Sequence, residues 1–445
     1  MLREQWRKGT IGLGILCMTV LLWPATAGAQ EDVNGLKAEL QAQKQRQAAL
    51  EDKINQLEAR QKLKERALTE KIEQAVAAKP EEEKKADVIP DALKWASKLS
   101  WHGDARYRYE YIDDDGTDSE DRHRNRIRAR LGLTARVSDE WDLGFRIATG
   151  QGEVSGDPVS TNQTFDQAFS KKPIWLDLAF FGYHPQRFKG LNVLGGKMEN
   201  PFYKPARNQL IWDNDLTPEG GALTYGHPFN DKTSVNLAAG GFWVNEESSG
   251  GDTSLWGFQA YLKHQIDKPT YVLGGAGWYD YGNIQGEESL ADEWDDAGDE
   301  FFGNTSAAGD VYASDYDLFE LFAEFGTVVA KLPVAVYGDY VQNTSADDED
   351  TGWLVGIQLN KLTDPGSWQF DWDYRDIEQD AVVGQFNDSD FIGGGTGGTG
   401  HRFAAGYMVV KNVTANVNYY MAELDRPGIE GEKYDRVQVD VAFKF

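Results

Sequence analysis

Cysteine is nearly absent from this sequence of 445 residues, and its single copy, Cys17, lies in an apolar N-terminal segment. If that segment is removed on export, disulfides, thiolate catalysis, cysteine-ligated metals and Cys-x-x-Cys-His haem attachment are all excluded. Basic residues are scarce too, because 45 Lys and Arg stand against 72 Asp and Glu, a net charge of −27. Nucleic acids bind basic surfaces, so we expect no nucleic-acid partner.

Long apolar runs are missing beyond the N-terminal segment. No run there reaches the roughly 18 apolar residues that a transmembrane helix needs, which excludes a helical membrane protein. A transmembrane β-barrel is not excluded, because its strands alternate polar and apolar residues. Histidine is also rare, with six copies, and none lies in a serine or carboxylate pattern typical of hydrolases. We therefore expect no enzymatic activity, no cofactor and no metal site.

Residues 1–29 are typical of a secretory signal peptide. A basic region precedes an apolar core at residues 11–23, and Ala27-Gly28-Ala29 then fits a cleavage site, with residues 25–27 as a second candidate. The basic residues are Arg3, Arg7 and Lys8. The sequence thus predicts an exported protein without cysteine.

Residues 30–79 have the spacing of an α-helical coiled coil, in which an apolar stripe packs against a partner helix. The stripe consists of Val33, Leu36, Leu40, Leu50, Ile54 and Leu57. A single amphipathic or partly disordered arm is the alternative, but so narrow a stripe has little to pack against in an isolated helix. The following segment, residues 80–99, begins with a charged, proline-bounded stretch and is interpreted as a linker.

Residues 100–445 follow a strand pattern, with alternating polar and apolar residues between Gly, Asp and Asn turns. Connections after even-numbered strands are short, whereas those after odd-numbered strands are generally longer. Outer-membrane barrels sort loop length in this way. The predicted fold class is an all-β transmembrane barrel of about 16 antiparallel strands, wide enough for a water channel. The predicted strands are 100–112, 122–137, 140–150, 174–185, 189–198, 220–228, 233–245, 254–266, 269–281, 316–329, 332–344, 351–361, 367–377, 401–410, 413–423 and 434–445.

The second predicted strand carries five arginines at alternate positions. In a strand, side chains two residues apart share a face, and the opposite face here is apolar. The five are Arg122, Arg124, Arg126, Arg128 and Arg130. The same alternation turns Arg106, Arg108 and Arg146 of the adjacent strands inward. So many like charges would be prohibitively costly in a dry core, so the sequence predicts an arginine ladder in a wet lumen.

The third predicted outer loop, residues 199–221, is too apolar to sit comfortably in open water. Its large apolar residues are Phe202, Leu210, Ile211 and Trp212. Folding inward would bury them, narrow the pore and bring Asp213, Asp215 and Glu219 opposite the arginines. The alternative is an ordinary surface loop in which Asp213 and Asp215 cap turns.

Five predicted outer loops are acidic and contain neither lysine nor arginine. They are residues 113–121, 246–253, 282–315, 345–350 and 378–400. Such loops can simply be solvated, can hold divalent cations that bridge to anionic lipid headgroups, or can concentrate cations at the channel mouth. Residues 113–121 lack the ligand spacing of a twelve-residue calcium loop.

Several segments resemble a family of Gram-negative outer-membrane porins with an N-terminal coiled coil. They are "GDARYRYEY", "TNQTFDQAFSKKP", "IWLDLAFFGYHP", "GKMENPF" and "WDNDLTPEGGALTY". The resemblance spans most of residues 95–445 and is most specific in 195–225. It implies a sixteen-stranded, homotrimeric porin whose third loop constricts the lumen. It also implies that Phe445, with Phe443 before it, forms the C-terminal signal that the barrel-assembly machinery reads.

The resemblance further implies the two sides of a pore constriction. The basic side would be Arg106, Arg128, Arg130 and Arg146, with their inward neighbours Arg108 and Arg126. The acidic side would be Asp213, Asp215 and Glu219. This assignment depends on the strand register, because a slip of one residue turns every side chain to the other face.

The expected function is passive diffusion of small hydrophilic solutes and ions across the outer membrane of a Gram-negative bacterium, with the coiled coil in the periplasm. Outer-membrane lipid and lipopolysaccharide would surround the barrel. One alternative is an anion-selective channel, in which the arginines pass phosphate or carboxylate solutes inward. Another is an outer-membrane anchor that acts as a tether through its coiled coil.

Overall fold

The structure, a computed structural model, describes Gln41, Lys53 and residues 95–116, 121–152, 155–248, 251–291 and 301–445. Gln41 and Lys53 are helical. The predicted signal peptide, the rest of the predicted coiled coil and most of the predicted linker lie outside the described residues. Within the described part of the chain, no helix is long and apolar enough to cross a membrane.

Nineteen strands lie within the described residues, and sixteen of them are long. The strands are β1 (Leu99–Asp114), β2 (Arg122–Arg136), β3 (Trp141–Thr149), β4 (Gln163–Thr164), β5 (Ile174–Tyr183), β6 (Leu191–Lys197), β7 (Glu219–Pro228), β8 (Thr233–Asn245), β9 (Thr253–Gln265), β10 (Tyr271–Gly282), β11 (Ser306–Ala307), β12 (Val311–Tyr312), β13 (Tyr316–Val329), β14 (Leu332–Asn343), β15 (Thr351–Asn360), β16 (Trp368–Ile377), β17 (Gly398–Val410), β18 (Val413–Leu424) and β19 (Glu432–Lys444). Short 3₁₀ turns lie at Ala96–Lys98, Gln167–Phe169, Pro205–Arg207, Gly384–Phe386 and Phe391–Gly393.

The long strands form one closed antiparallel sheet. Each pairs with the next long strand along the chain, and β19 pairs with β1. The predicted sixteen-stranded barrel is confirmed, with most strand ends within two residues of prediction. The largest differences are β17, which begins at Gly398 rather than at residue 401, and the short strands β4, β11 and β12, which were not predicted.

The strand faces alternate as predicted. On the outside, Tyr107, Leu131 and Phe145 are 46%, 40% and 49% exposed, as expected for a surface that meets lipid. On the inside, Arg108 and Glu110 are 3% and 0% exposed. The register of β1 and β2 therefore turns the predicted arginines into the barrel.

The barrel closes between β1 and the last residue of the chain. Gly103 and Phe445 exchange two backbone hydrogen bonds of 3.1 Å each. A Cβ atom at Gly103 would lie 2.5 Å from the Arg130 carbonyl oxygen and 2.6 Å from the Phe445 ring. Only glycine leaves room for this ring at the seam. Phe443 and Phe445, the predicted assembly signal, both lie exposed on the outer face.

Three of the long loops fold into the barrel. They are the described residues of segments 150–173, 198–218 and 378–397, and each contains buried residues. Residues 378–400 were interpreted as a solvent-exposed acidic outer loop, and this prediction was wrong for most of them. Ala381, Val382 and Phe391 join the apolar core inside the barrel, and the transfer of such side chains from water stabilises the buried position.

Candidate functional site

Arginines of six strands line the inside of the barrel. They are Arg106 and Arg108 of β1, Arg124, Arg126, Arg128 and Arg130 of β2, Arg146 of β3, Arg375 of β16, Arg402 of β17 and Arg436 of β19. We call this set the arginine wall. Its members on β16, β17 and β19 were not among the predicted site residues. Arg436 could have been found from the closure of the barrel. The first and last strands of a closed barrel are neighbours, so an inward arginine on the last strand lies beside those of the first.

Loop 198–218 brings one carboxylate directly to this wall. Asp215 lies 3.1 Å from Arg130 and 3.8 Å from Arg128, measured between side-chain nitrogen and oxygen. It also accepts a hydrogen bond of 2.9 Å from the Thr161 hydroxyl. Asp104 pairs with the same two arginines from the other side, with Arg128 at 2.9 Å and with Arg130 at 2.8 Å. Charge-assisted pairs of this length are among the strongest hydrogen bonds in proteins.

The predicted acidic residue Asp213 lies elsewhere, at the junction with loop 378–397. Its carboxylate accepts backbone hydrogen bonds of 2.7 Å from Asp215 and 3.1 Å from Ser389. Burial, with the nearby charges of Asp215 and Asp388, raises the pKa of Asp213 well above its usual range. By contrast, burial also favours a higher pKa at Asp215, but Arg128, Arg130 and Arg106 outweigh it and lower this pKa to about 2.

The third predicted acidic residue, Glu219, begins β7 and pairs with Lys197 at 2.9 Å. Arg146 pairs with Asp177 of β5 and, at 2.9 Å, with Glu199. Of the three predicted acids, Asp215 is therefore the one that the structure brings into ion-pair distance of the arginine wall.

Loop 150–173 supplies neutral partners to the arginine wall. Arg106 donates to the amide oxygen of Asn162, and Arg126 donates to that of Gln151 at 2.7 Å. Both loop residues are held against the inner face of β1 and β2, and β4 pairs with β2. This loop thus covers part of the wall that the sequence predicted to be open to water.

Apolar residues fix loop 198–218 against the opposite side of the barrel. Phe202, Leu210, Ile211 and Trp212 are all buried. The Tyr279 ring of β10 meets the Trp212 ring edge-on with centroids 5.2 Å apart, and the Phe202 ring with centroids 4.9 Å apart. Such edge-to-face pairs add to the free energy gained by burial.

Polar contacts fix the same loop to further strands. The Tyr203 backbone N–H donates to the Gln259 side chain at 2.7 Å, and the Asn208 amide donates to Asp339 at 2.8 Å. The loop therefore crosses from β9 and β14 to the arginine wall on β2. It divides the inside of the barrel.

A cavity of about 890 Å³ lies beside this loop and reaches the outer strand ends. Seven of the described residues that line it are Asp or Glu, and one, Lys197, is basic. Asp215 is among the acids, so the cavity extends to the contact between the loop and the arginine wall. The electrostatic potential in such an acidic, partly enclosed space attracts cations.

Comparisons with known proteins agree with the architecture. A family model described as "Putative porin" matches residues 114–314 and 314–445. OprB of Pseudomonas putida is 12% identical, with a TM-score of 0.51 over 79% of this chain and 95% of that chain. OmpF of Salmonella typhi, in complex with daunomycin, is 12% identical, with a TM-score of 0.46 over 78% of this chain and 97% of that chain. No curated protein matches the sequence. At 12% identity the likeness to OprB concerns the fold alone.

Proposed function

Because the chain belongs to this porin family, we propose that it forms a water-filled outer-membrane channel through which small hydrophilic solutes and ions diffuse passively. Family and fold point to a channel rather than an enzyme. The observation that carries the proposal is the position of loop 198–218, which lies inside the barrel with Asp215 3.1 Å from Arg130. In this position the loop narrows the lumen and sets an upper limit on solute size.

The pairing of the arginines decides which ions the channel favours. An anion-selective channel needs arginines whose charge is available to the solute, but Arg108, Arg128 and Arg130 each have a carboxylate within 3.0 Å. The charged residues that line the cavity leading to the Asp215 contact are mainly acids. We therefore favour a channel with a moderate preference for cations over the anion-selective alternative.

Conductance in a planar bilayer tests this function. The purified full-length protein should give steady conductance steps, and a KCl gradient should give a reversal potential of the sign expected for cation preference. Replacing Glu287 and Glu288 in the cavity lining by glutamine should weaken this preference, whereas Asp231→Asn on an exposed periplasmic turn should leave it unchanged. Steps in groups of three would support the homotrimer. Properly folded protein without conductance would overturn the open channel and favour the tether.

Mild acid should leave the ion pairs of Asp215 with Arg128 and Arg130 in place. The pKa of Asp215 is lowered to about 2 from an ordinary value of 3.8. A carboxylate of this kind contributes its full stabilisation above its unfolded-state pKa and loses it as the pH falls through the folded-state pKa. In the variant Asp213→Asn, which removes the neighbouring carboxyl of raised pKa, single-channel conductance should therefore be the same at pH 7 and pH 4.5, measured in about 1 M KCl to screen the cavity acids. A clear rise in conductance at pH 4.5 would contradict the assigned role of Asp215.

A further inference from the structure

Loop 378–397 brings a second set of carboxylates to the arginine wall. Asp388 and Asp390 lie near the inner end of this loop, and Asp388 is 2% exposed. Asp390 pairs with Arg436 at 2.6 Å and with Arg108 at 3.2 Å. Asp388 pairs with Arg375 at 2.7 Å. Two neighbouring loop acids thus reach arginines on three strands.

The loop is also held in this position by hydrogen bonds that do not involve the side chains of Asp388 and Asp390. The Ser389 hydroxyl donates to the Val159 carbonyl at 3.1 Å, and the Ser389 N–H donates to Asp213 at 3.1 Å. The Asp213 N–H donates to the Phe386 carbonyl at 2.8 Å. The three inward loops therefore meet at Ser389, between the two acids. Loop 378–397 then returns to β17 through Gly393, Gly394 and Gly395, whose φ angles of 82°, 108° and 86° favour glycine.

Without loop 378–397, this part of the arginine wall would have fewer carboxylates than arginines. Arg108 retains Asp440 at 2.7 Å, and Arg375 retains Asp373 at 2.9 Å. Arg436, however, shares Glu110 with Arg124. Because a buried charge is costly unless it is paired, the loop acids complete the neutralisation of the arginines. Burial opposes ionisation of Asp390, but Arg436 and Arg108 outweigh it and hold the pKa of that carboxyl well below its usual range.

We propose that loop 378–397 supplies internal counter-ions to the arginine wall, and that Asp388 and Asp390 determine the charge selectivity of the channel. With these carboxylates in place, the wall offers little net positive charge to a passing carboxylate or phosphate solute. Without them, the same arginines would act as an anion filter. This inference rests on the proposed channel function and adds a second inward loop to the constriction.

The test is the ratio of potassium to chloride permeability, taken from the reversal potential in a KCl gradient. The Asp388→Asn and Asp390→Asn double variant should shift this ratio strongly toward chloride. One unit charge about 7 Å from an ion in water changes the local concentrations of cations and anions roughly threefold in opposite directions, so each substitution should change the permeability ratio roughly sevenfold. Asp231→Asn removes the same charge from an exposed periplasmic turn and should give the wild-type ratio.

A compensating variant separates charge from loop position. Adding Arg436→Gln to Asp390→Asn removes both partners of one ion pair, so the permeability ratio should return toward that of the wild type. Heat-modifiable mobility in gels reports whether each variant forms a barrel. If the double variant does not assemble, the single variants Asp388→Asn and Asp390→Asn decide the question, each with about half the shift.

The outcomes distinguish this inference from the channel function on which it rests. If the wild type conducts and the folded asparagine variants keep its permeability ratio, the counter-ion role is wrong and the channel stands. If the folded wild type does not conduct, both are wrong. A shift toward chloride that Arg436→Gln reverses would establish Asp390 as a selectivity residue.

Discussion

Replacing Trp212 by alanine should raise the single-channel conductance and make it noisy. Trp212 is 2% exposed and packs against Tyr279 and Phe202. Loss of a buried tryptophan side chain costs about 3–5 kcal/mol in a packed core, and here that loss falls on the attachment of loop 198–218. The strands do not depend on this contact for their hydrogen bonds, so the barrel should persist around a loop that no longer stays in place.

The matched control for Trp212→Ala is Trp256→Ala on the outer face of β9. Trp256 is 63% exposed toward the lipid side, so its removal should leave conductance unchanged. Liposome swelling with sugars of increasing size provides the second readout, because a displaced loop should admit larger solutes. Wild-type conductance and size limit in a folded Trp212→Ala barrel would contradict the constricting role of this loop.

Replacing Gly103 by alanine should strongly reduce the yield of assembled barrel. The new methyl group would meet the Arg130 carbonyl oxygen at 2.5 Å and the Phe445 ring at 2.6 Å. Overpacking at such a site costs about 1–3 kcal/mol, and here it acts on the one seam that closes the sheet. The measurement is the fraction of heat-modifiable protein in the outer membrane fraction.

The control for Gly103→Ala is Gly274→Ala on β10, where the nearest atom to an added Cβ is the Phe322 carbonyl oxygen at 3.8 Å. Both substitutions place the same residue on an outward strand position. A variant that lacks Phe445 should share the assembly defect of Gly103→Ala. Normal assembly of both seam variants would mean that the contact between the Phe445 ring and Gly103 is not required for barrel assembly.

The strands could be predicted from the sequence because each depends on a local pattern. Neighbouring residues such as Tyr107 and Arg108 differ in polarity, and this alternation indicates which face of the strand meets lipid. The pattern can be recognised without knowledge of any distant part of the sequence. Loop lengths predict the orientation of the strand ends from equally local information. The burial of Phe202 and Trp212 was also predictable, because four large apolar side chains in one loop need a nonpolar environment.

Loop 378–397 carries the same kind of apolar signal in Val382, Val383, Phe391 and Ile392, but the ion pairs of its acids could not be predicted in this way. Its acids and glycines are typical of a solvated loop, and their burial depends on arginines far away in sequence, such as Arg108 for Asp390. Glu219 illustrates the same limit, because its acidic character did not reveal that Lys197 of the adjacent strand would be its partner. These ion pairs join residues that are distant in sequence and meet only in the closed barrel, so no single segment of the sequence predicts them.

The closing seam has a consequence for the speed of folding. Arg108 and Asp440, which pair across β1 and β19, are separated by 332 residues. Joining the ends of so long a chain costs about 5 kcal/mol of conformational entropy, and contacts of this range slow folding. Until β19 pairs with it, β1 has one unpaired edge that is open to aggregation. Pairing of β1 with β19 is therefore expected to be the slow step of barrel folding, and a folding catalyst would have its greatest effect on this step.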